Sequence, residues 1–508
     1  MNIAVDMTPY IAGGANGGVV PLVIATIKEL VARSDDDITI ITTAQNYDAL
    51  AFLDTERISR CVIDGSRKSW EETVVQGKND RAAESVHAEH YPIEITAVEA
   101  PKPGLNKWKK KLFYGIKKPA KKILPAKTYF KLKMHKGEFK QIVYAASHPW
   151  KEVLKPASKW IVPHGIYVHH QAKKVNRSAV GRENTDVQPS PAILVEQIKS
   201  LTKGTKIEQV TGKKIDVFYC PFTAVPMEEP GVPIVSVVND IQHRFFPWFF
   251  SREECEVRDR FYENLVKVHP YMIAISEYTR QTYIDTYKYE PDQITTVHCA
   301  VQDRLSGFKT DDDQILTSFG LTAKSFLLYP ANFWPHKNHR SLFVAFNMLK
   351  HHRPDCDLKL VLTGFSGDGN HAWKEAVEAM GLENEILFLG YVTDPELAVL
   401  LRNCQFMVFP SLFEGFGMPV TEAMSMNTTV LCSNVTSIPE VGGDCAFYFD
   451  PYDPAKICEM MEYVLDHPET VKEKKENYRK HLENFSTENY IKKTRDIFRQ
   501  LIEKGTVS

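Results

Sequence analysis

The chain has 508 residues, 43% of them apolar and 25% charged, with a formal net charge of −2. That length holds two or three domains, each able to bury a core, in the composition of an ordinary soluble globular protein. The near-neutral balance excludes a uniformly basic nucleic-acid binder, and no apolar stretch is long enough to span a bilayer.

The opening MNIAVDMTPY reads as a buried strand over 2–6, without the basic region and apolar run of a signal peptide. The nine cysteines are scattered and show neither metal-ligand nor redox spacing, which points to a reduced, cytoplasmic setting. Gly13, Gly14, Gly17 and Gly18 follow the first strand, and a helix is predicted from about Val19 to Val31. The glycines miss the G-x-G-x-x-G spacing, so dinucleotide binding is not implied. They are candidates for a loop over a cleft or for direct acceptor contact. A second strand is predicted at 38–43, and the strand–helix alternation implies a parallel sheet covered on both faces.

Residues 65–145 break this pattern. Between Lys102 and Lys140 there are fourteen lysines against one acid, Glu138, with Trp108, Phe113, Tyr114, Tyr129 and Phe130 interleaved. Lysines mixed with aromatic and aliphatic residues suit an anionic membrane surface. A solvated insertion with no partner is the bland alternative, and no nucleic-acid motif accompanies the charge. PHGIYVHH contains His164, His169 and His170, whose spacing is not a metal signature. His164 is kept as a residue lining a cleft.

The strand pattern returns at 216–220, 234–238 and 272–276. Asn239, Asp240 and His243 stand just past the carboxyl end of 234–238, where ligands bind in parallel α/β sheets. Asp240 as a turn or cap residue is the structural alternative. Ser276 suits an N-cap for EYTRQTYIDTY. The polar stretch 301–314, with three consecutive aspartates, reads as a solvated link between domains.

Beyond it a second alternation is regular. Strands are predicted at 325–330, 358–364, 386–390, FMVFP and 429–433, with helices between them. FMVFP leads into SLFEGFGMPVTEAM. This loop carries Gly415 and Gly417, which permit unusual backbone conformations, and Pro419, which suits the first helical position. A loop and helix start of this kind accommodate an anion, yet two acids flank it, Glu414 and Glu422. As acceptors, carboxylates suit hydroxyl groups of a sugar and a ribose, and Lys337, placed before another helix, suits phosphate.

EGFGMPVTE resembles the E-x7-E signature of retaining glycosyltransferases of glycosyltransferase family 4. WPHKNHRSLFVAF, LFLGYVTDPEL, SNVTSIPEVGGDCAFYFDP, VVNDIQHRFFP and AISEYTRQ agree in order. The likeness covers about 230–455, extends less strongly to 1–45 and is absent over 65–215. It implies a GT-B fold, two Rossmann-like doubly wound α/β domains facing across a cleft. The first, 1–305, would bind the acceptor and carry the basic insertion at about 65–145. The second, 306–485, would bind the nucleotide-sugar donor, and 486–508 would be a helix crossing back to the first.

By the same resemblance Glu414 contacts the transferred sugar, with Asp240 and His243 as further catalytic candidates. Gly417, Met418 and Pro419 offer backbone to sugar and diphosphate. Glu422 takes the ribose, Lys337 the phosphates, Gly390, Tyr391 and Val392 the base, and Asn332 completes the donor set. The resemblance implies no metal or cofactor. Its donor is a GDP- or UDP-linked sugar, with GDP-mannose favoured, and its acceptor a glycan or lipid-linked glycan in surface polysaccharide or lipopolysaccharide synthesis. A peripheral position on the inner face of the plasma membrane follows if 102–140 meets anionic lipid. Two departures stand out: Asn239 where the family often has His, and no arginine upstream of Lys337. A soluble glucosyltransferase making a disaccharide or storage glucan and a non-catalytic GT-B-like binding protein are the alternatives.

Overall fold

The computed structural model describes residues 1–10, 19–43, 46–63, 199, 202–300, 304–365 and 371–505, all within one unit formed by Met1–Gln76 and Val187–Ser508. Gly13, Gly14, Gly17, Gly18, His164 and the basic insertion lie outside the described residues.

Two parallel sheets organise the unit. The first has seven strands in the order β3-β2-β1-β4-β5-β6-β7. These are β1 (Asn2–Asp6), β2 (Asp37–Thr42), β3 (Ile58–Val62), β4 (Val217–Cys220), β5 (Ile234–Val238), β6 (Tyr271–Ala274) and β7 (Ile294–Thr296). The second has six in the order β10-β9-β8-β11-β12-β13. They are β8 (Phe326–Pro330), β9 (Lys359–Thr363), β10 (Ile386–Gly390), β11 (Met407–Phe409), β12 (Val430–Ser433) and β13 (Phe447–Phe449). In each sheet the strand order reverses direction beside an early central strand, β1 or β8, which defines the switch point where α/β sheets open a crevice.

Central strands such as LVL and MVF are buried on both sides, as their unbroken apolar runs dictate. The edge strands β3 and β7 were not anticipated. β3 reads ISRCV, and its Arg60 is buried only because Asp54 takes Nε at 2.6 Å and the guanidinium lies over Tyr47. β7 has two threonines in three residues. An edge strand needs one apolar face, so neither shows the apolar run that marks a central one.

The helix Thr487–Gly505 lies on the first sheet. Tyr490, Ile491, Ile497 and Phe498 join the core built on Ile3, Val5, Tyr219 and Val235. The buried hydroxyls of Tyr219 and Tyr490 meet at 3.1 Å, and Arg495 donates to Asp36 at 2.7 Å. The stretch expected to be a linker is partly helical. Asp311 caps the helix Asp312–Ser318 by accepting from the Gln314 N–H, and Asp312 pairs with Arg402 at 2.8 Å. Hydrogen bonds from Arg402 outweigh burial and hold the Asp312 carboxyl down at about 2. The aspartate run therefore serves a cap and an ion pair.

Candidate functional site

The loop between β11 and the helix Met418–Ser425 sits at the carboxyl end of the second sheet. Gly417 caps that helix with φ 96°, a left-handed conformation that costs other residues about 1–2 kcal/mol. Met418 is the first helical residue and Pro419 the second, one place later than the sequence suggested, where a missing N–H is still tolerated. Gly415 has a different reason to be glycine. A Cβ there would stand 3.0 Å from Asp240 Oδ2 and 3.0 Å from Ile275 Cδ1, so this backbone must pass close to the ends of β5 and β6.

The first sheet grips the loop at that point. Ser276 Oγ donates to the Gly415 carbonyl at 2.6 Å and Thr279 Oγ1 donates to it at 3.1 Å. Ser276 also caps its own helix, as its sequence context indicated, by accepting from the Thr279 N–H. From the second sheet, Glu440 accepts from the N–H groups of Glu277 and Tyr278 at 2.7 and 3.2 Å, and from His298 Nε2 at 2.5 Å. A carboxylate on the first turn of a helix is favoured by the dipole and by the free N–H groups. Burial alone would raise the Glu440 carboxyl, but His298 and the two backbone donors pull it below its ordinary value.

Lys337 and Glu414 meet within this frame. Lys337 Nζ donates to Glu414 Oε1 at 2.6 Å, with only 15% and 13% of the two side chains exposed. The turn bearing Lys337 is fixed by Tyr329 Oη to the Lys337 carbonyl, by the Leu412 N–H to the His336 carbonyl, and by Asn338 to the Pro410 and Pro451 carbonyls. Burial is the largest single influence on Glu414 and would raise it, but the charge and hydrogen bond of Lys337, joined by smaller contributions from His336 and Ser411, together hold it below its ordinary value, so the carboxylate is ionised. Burial, then Lys337, push His336 down to about 4, so it is neutral. The site thus presents one fixed cation, one fixed anion and a helix N-terminus.

Asp240 faces the same loop through Gly415. Its carboxyl is raised first by burial and further by Glu414, while the Gln242 N–H, Arg258 and Lys337 oppose the rise. His243 is placed otherwise. It is buried, its Nε2 lies 2.9 Å from Asp259 Oδ1, and its ring stacks on Tyr262 at 5.4 Å. Burial lowers its pKa first, more than Asp259 raises it. In this position it braces the segment after β5. Asn239 donates to Thr223 Oγ1 at 3.1 Å.

The remaining donor candidates lie along the ends of β8, β9 and β10. Asn332 Oδ1 accepts from the Phe365 N–H at 2.8 Å, and the Gly390 carbonyl accepts from the Gly364 N–H at 2.7 Å. Gly364 is required there, since a Cβ would overlap the Ala331 carbonyl at 2.5 Å. Tyr391 is among the most exposed aromatic residues, and Trp334 and Phe365 are also exposed. Glu422, by contrast, has 6% of its side chain exposed and faces Arg304, whose Nε stands 3.0 Å from Glu422 Oε1. The approach is off the N–H direction, so it is an ion pair rather than a hydrogen bond. Sequence reasoning missed Arg304 because it lies in a polar link with no motif, and missed the Ser276–Gly415 grip because it joins residues 139 positions apart.

Two such sheets, with a glycine-bearing loop gripped across their carboxyl ends, define the GT-B architecture. Residues 313–481 match the family described as "Glycosyl transferases group 1". "O-antigen chain mannosyltransferase B" of Escherichia coli is 30% identical over 220 residues, 43% of this chain and 58% of that protein. "MMP alpha-(1->4)-mannosyltransferase" of Mycolicibacterium hassiacum is 24% identical over 239 residues, 46% of this chain and 55% of that protein. The matches thus span little more than half the length of these relatives. Among solved structures, Alr3699/HepE of Anabaena in complex with UDP-glucose superposes with a TM-score of 0.58 at 13% identity, covering 99% of this chain and all of that one. WaaG, a glycosyltransferase involved in lipopolysaccharide biosynthesis, gives 0.53 at 11%, covering 98% and 99%. At these identities the likeness is one of fold.

Proposed function

We propose that the chain is a retaining hexosyltransferase that moves a sugar from a nucleotide sugar to a glycan or lipid-linked glycan in surface polysaccharide or lipopolysaccharide synthesis. The observation that carries the reading is the 2.6 Å Lys337–Glu414 pair beside the helix Met418–Ser425, inside a glycosyl transferases group 1 segment. Mannose from GDP-mannose is the favoured donor, because the similar proteins include several named mannosyltransferases.

In this reading the diphosphate draws on Lys337 and on the helix N-terminus, which together offset its charge as the leaving group departs. Those groups make a metal unnecessary. Glu414, released from Lys337, accepts hydroxyls of the transferred sugar, and Glu422 accepts from the ribose in place of Arg304. The acceptor hydroxyl attacks on the face from which the diphosphate leaves, and a phosphate oxygen takes its proton. The protein contributes alignment more than acid–base chemistry. The lysine- and aromatic-rich stretch 102–140 supports a position at an anionic membrane face. Among the described residues no helix is long and apolar enough to cross a membrane.

The test is transfer from GDP-mannose and from UDP-linked hexoses by the wild type and Glu414→Ala, with a thermal-shift panel of the same nucleotides. Expected is stabilisation by one nucleotide class and loss of nearly all transfer in the folded variant. Turnover near normal in Glu414→Ala, or no nucleotide stabilising the wild type, refutes the reading.

A further inference from the structure

The segment after β5, HRFFPWFF, holds aromatic rings that the donor chemistry does not use. Their arrangement is tied to the site. Phe413, the residue before Glu414, is buried and packs against Phe245 at 5.3 Å and Phe246 at 5.7 Å. Phe246 in turn holds Trp248 edge-on at 5.3 Å, and Phe249 supports the same indole at 6.0 Å. Trp248 is 55% exposed and Phe245 39% exposed. The short 3-10 turn Pro247–Phe249 begins with a proline, which restricts its φ. The Cys255 thiol lies 3.7 Å from the Pro247 carbonyl, and the Arg258 guanidinium covers Phe250 at 4.6 Å.

A braced tryptophan showing over half its surface is not isolated surface scatter, because it is continuous through two ring contacts with the residue beside Glu414. The chemistry of a bound sugar fits it. A pyranose ring has an apolar C–H face, which an exposed aromatic face receives. An anionic membrane is not favoured, because Glu253, Glu254 and Glu256 on the helix immediately behind the turn offset Arg252 and Arg258 and leave no net positive charge there. We propose that Trp248 and Phe245 form a stacking ledge for the acceptor glycan. Trp248 carries a pyranose ring lying outward of the one being glycosylated, on the first-sheet side of Glu414.

This inference rests on the glycosyltransferase reading, and direct binding separates the two. Saturation-transfer NMR is run on the full chain with methyl α-mannopyranoside, methyl α-glucopyranoside and methyl α-galactopyranoside, in the wild type, Trp248→Tyr and Trp248→Leu. Expected is saturation of ring C–H protons of at least one glycoside in the wild type and in Trp248→Tyr, with affinity about tenfold weaker in Trp248→Leu, which keeps an apolar side chain but has no aromatic face. A glycoside bound equally by Trp248→Leu, or no glycoside bound by the wild type, overturns the ledge. Nucleotide stabilisation, measured separately, reports on the donor reading alone. A chain that takes a nucleotide sugar but shows no Trp248-dependent glycoside contact retains the function and loses the ledge.

Discussion

Arg304→Met is the substitution whose consequence can be worked furthest. Glu422 is buried with 6% of its side chain exposed, and the guanidinium 3.0 Å away is its nearest opposite charge, with Asp394 3.6 Å from the same arginine. Burial raises the Glu422 carboxyl above its ordinary 4.5, Arg304 holds it down and Asp394 adds to the rise. A carboxyl whose pKa is higher in the fold than in the unfolded chain binds its proton preferentially in the fold. Stability is therefore fully retained below about pH 4.5 and falls as pH rises through the interval up to the folded value. Without Arg304 that interval extends to higher pH. The deficit relative to wild type is thus negligible near pH 4.5 and grows by at most about 1.4 kcal/mol per pH unit. Full neutralisation of Glu422 at pH 7.5 would cost about 4 kcal/mol, which is the ceiling. Arg304 is 27% exposed and its field is screened in part, so the expected deficit is about 2–3 kcal/mol at pH 7.5 and under about 1 kcal/mol at pH 5. Urea unfolding followed by circular dichroism at the two pH values measures it. Adding Glu422→Gln to Arg304→Met removes the buried charge and should recover most of the loss at pH 7.5. Equal deficits at the two pH values, or no recovery in the double variant, would refute the argument.

Two further outcomes follow from the grip on the loop. Gly415→Ala places a methyl 3.0 Å from Asp240 Oδ2 and Ile275 Cδ1, so either the contact is strained by about 1–3 kcal/mol or the loop withdraws from Ser276 and Thr279. Steady-state kinetics should show transfer falling at least about tenfold while the fold persists; unchanged kcat would mean that the loop position is immaterial. Glu440→Ala leaves two helix N–H groups and His298 without their acceptor, costing about 1–3 kcal/mol. The folded pKa of Glu440 is lowered, so its contribution is present above about pH 4.5 and lost as pH falls through the folded value. Thermal unfolding of variant and wild type should therefore differ at pH 7 and converge below pH 4, the reverse of the Arg304 pattern.

Most of the alternating architecture was legible because central parallel strands must be apolar on both faces. The runs at 2–6, 234–238 and 325–330 coincide with central strands. The edges β3 and β7 were not, since ISRCV and ITT satisfy only one face and borrow stability from neighbours such as Asp54. Lys337, Glu414 and Glu422 were recognisable from their motif, but their partners were not. The cation facing Glu422 comes from a link that carries no pattern, and His243, which the strand-end rule favours, is instead committed to Asp259 and Tyr262.

Local chemistry in the chain is therefore sufficient to specify the inner strands of the two sheets, the helix starting after Gly417 and the acids that flank it. These depend on periodicity, backbone freedom and residue type within a few positions. Only the tertiary structure decides that Gly415 must be small, that Glu414 is held ionised by Lys337, and that Trp248 stands braced beside them. Each of these depends on which side chain arrives from a distant strand end, and on how far burial there changes the cost of charge.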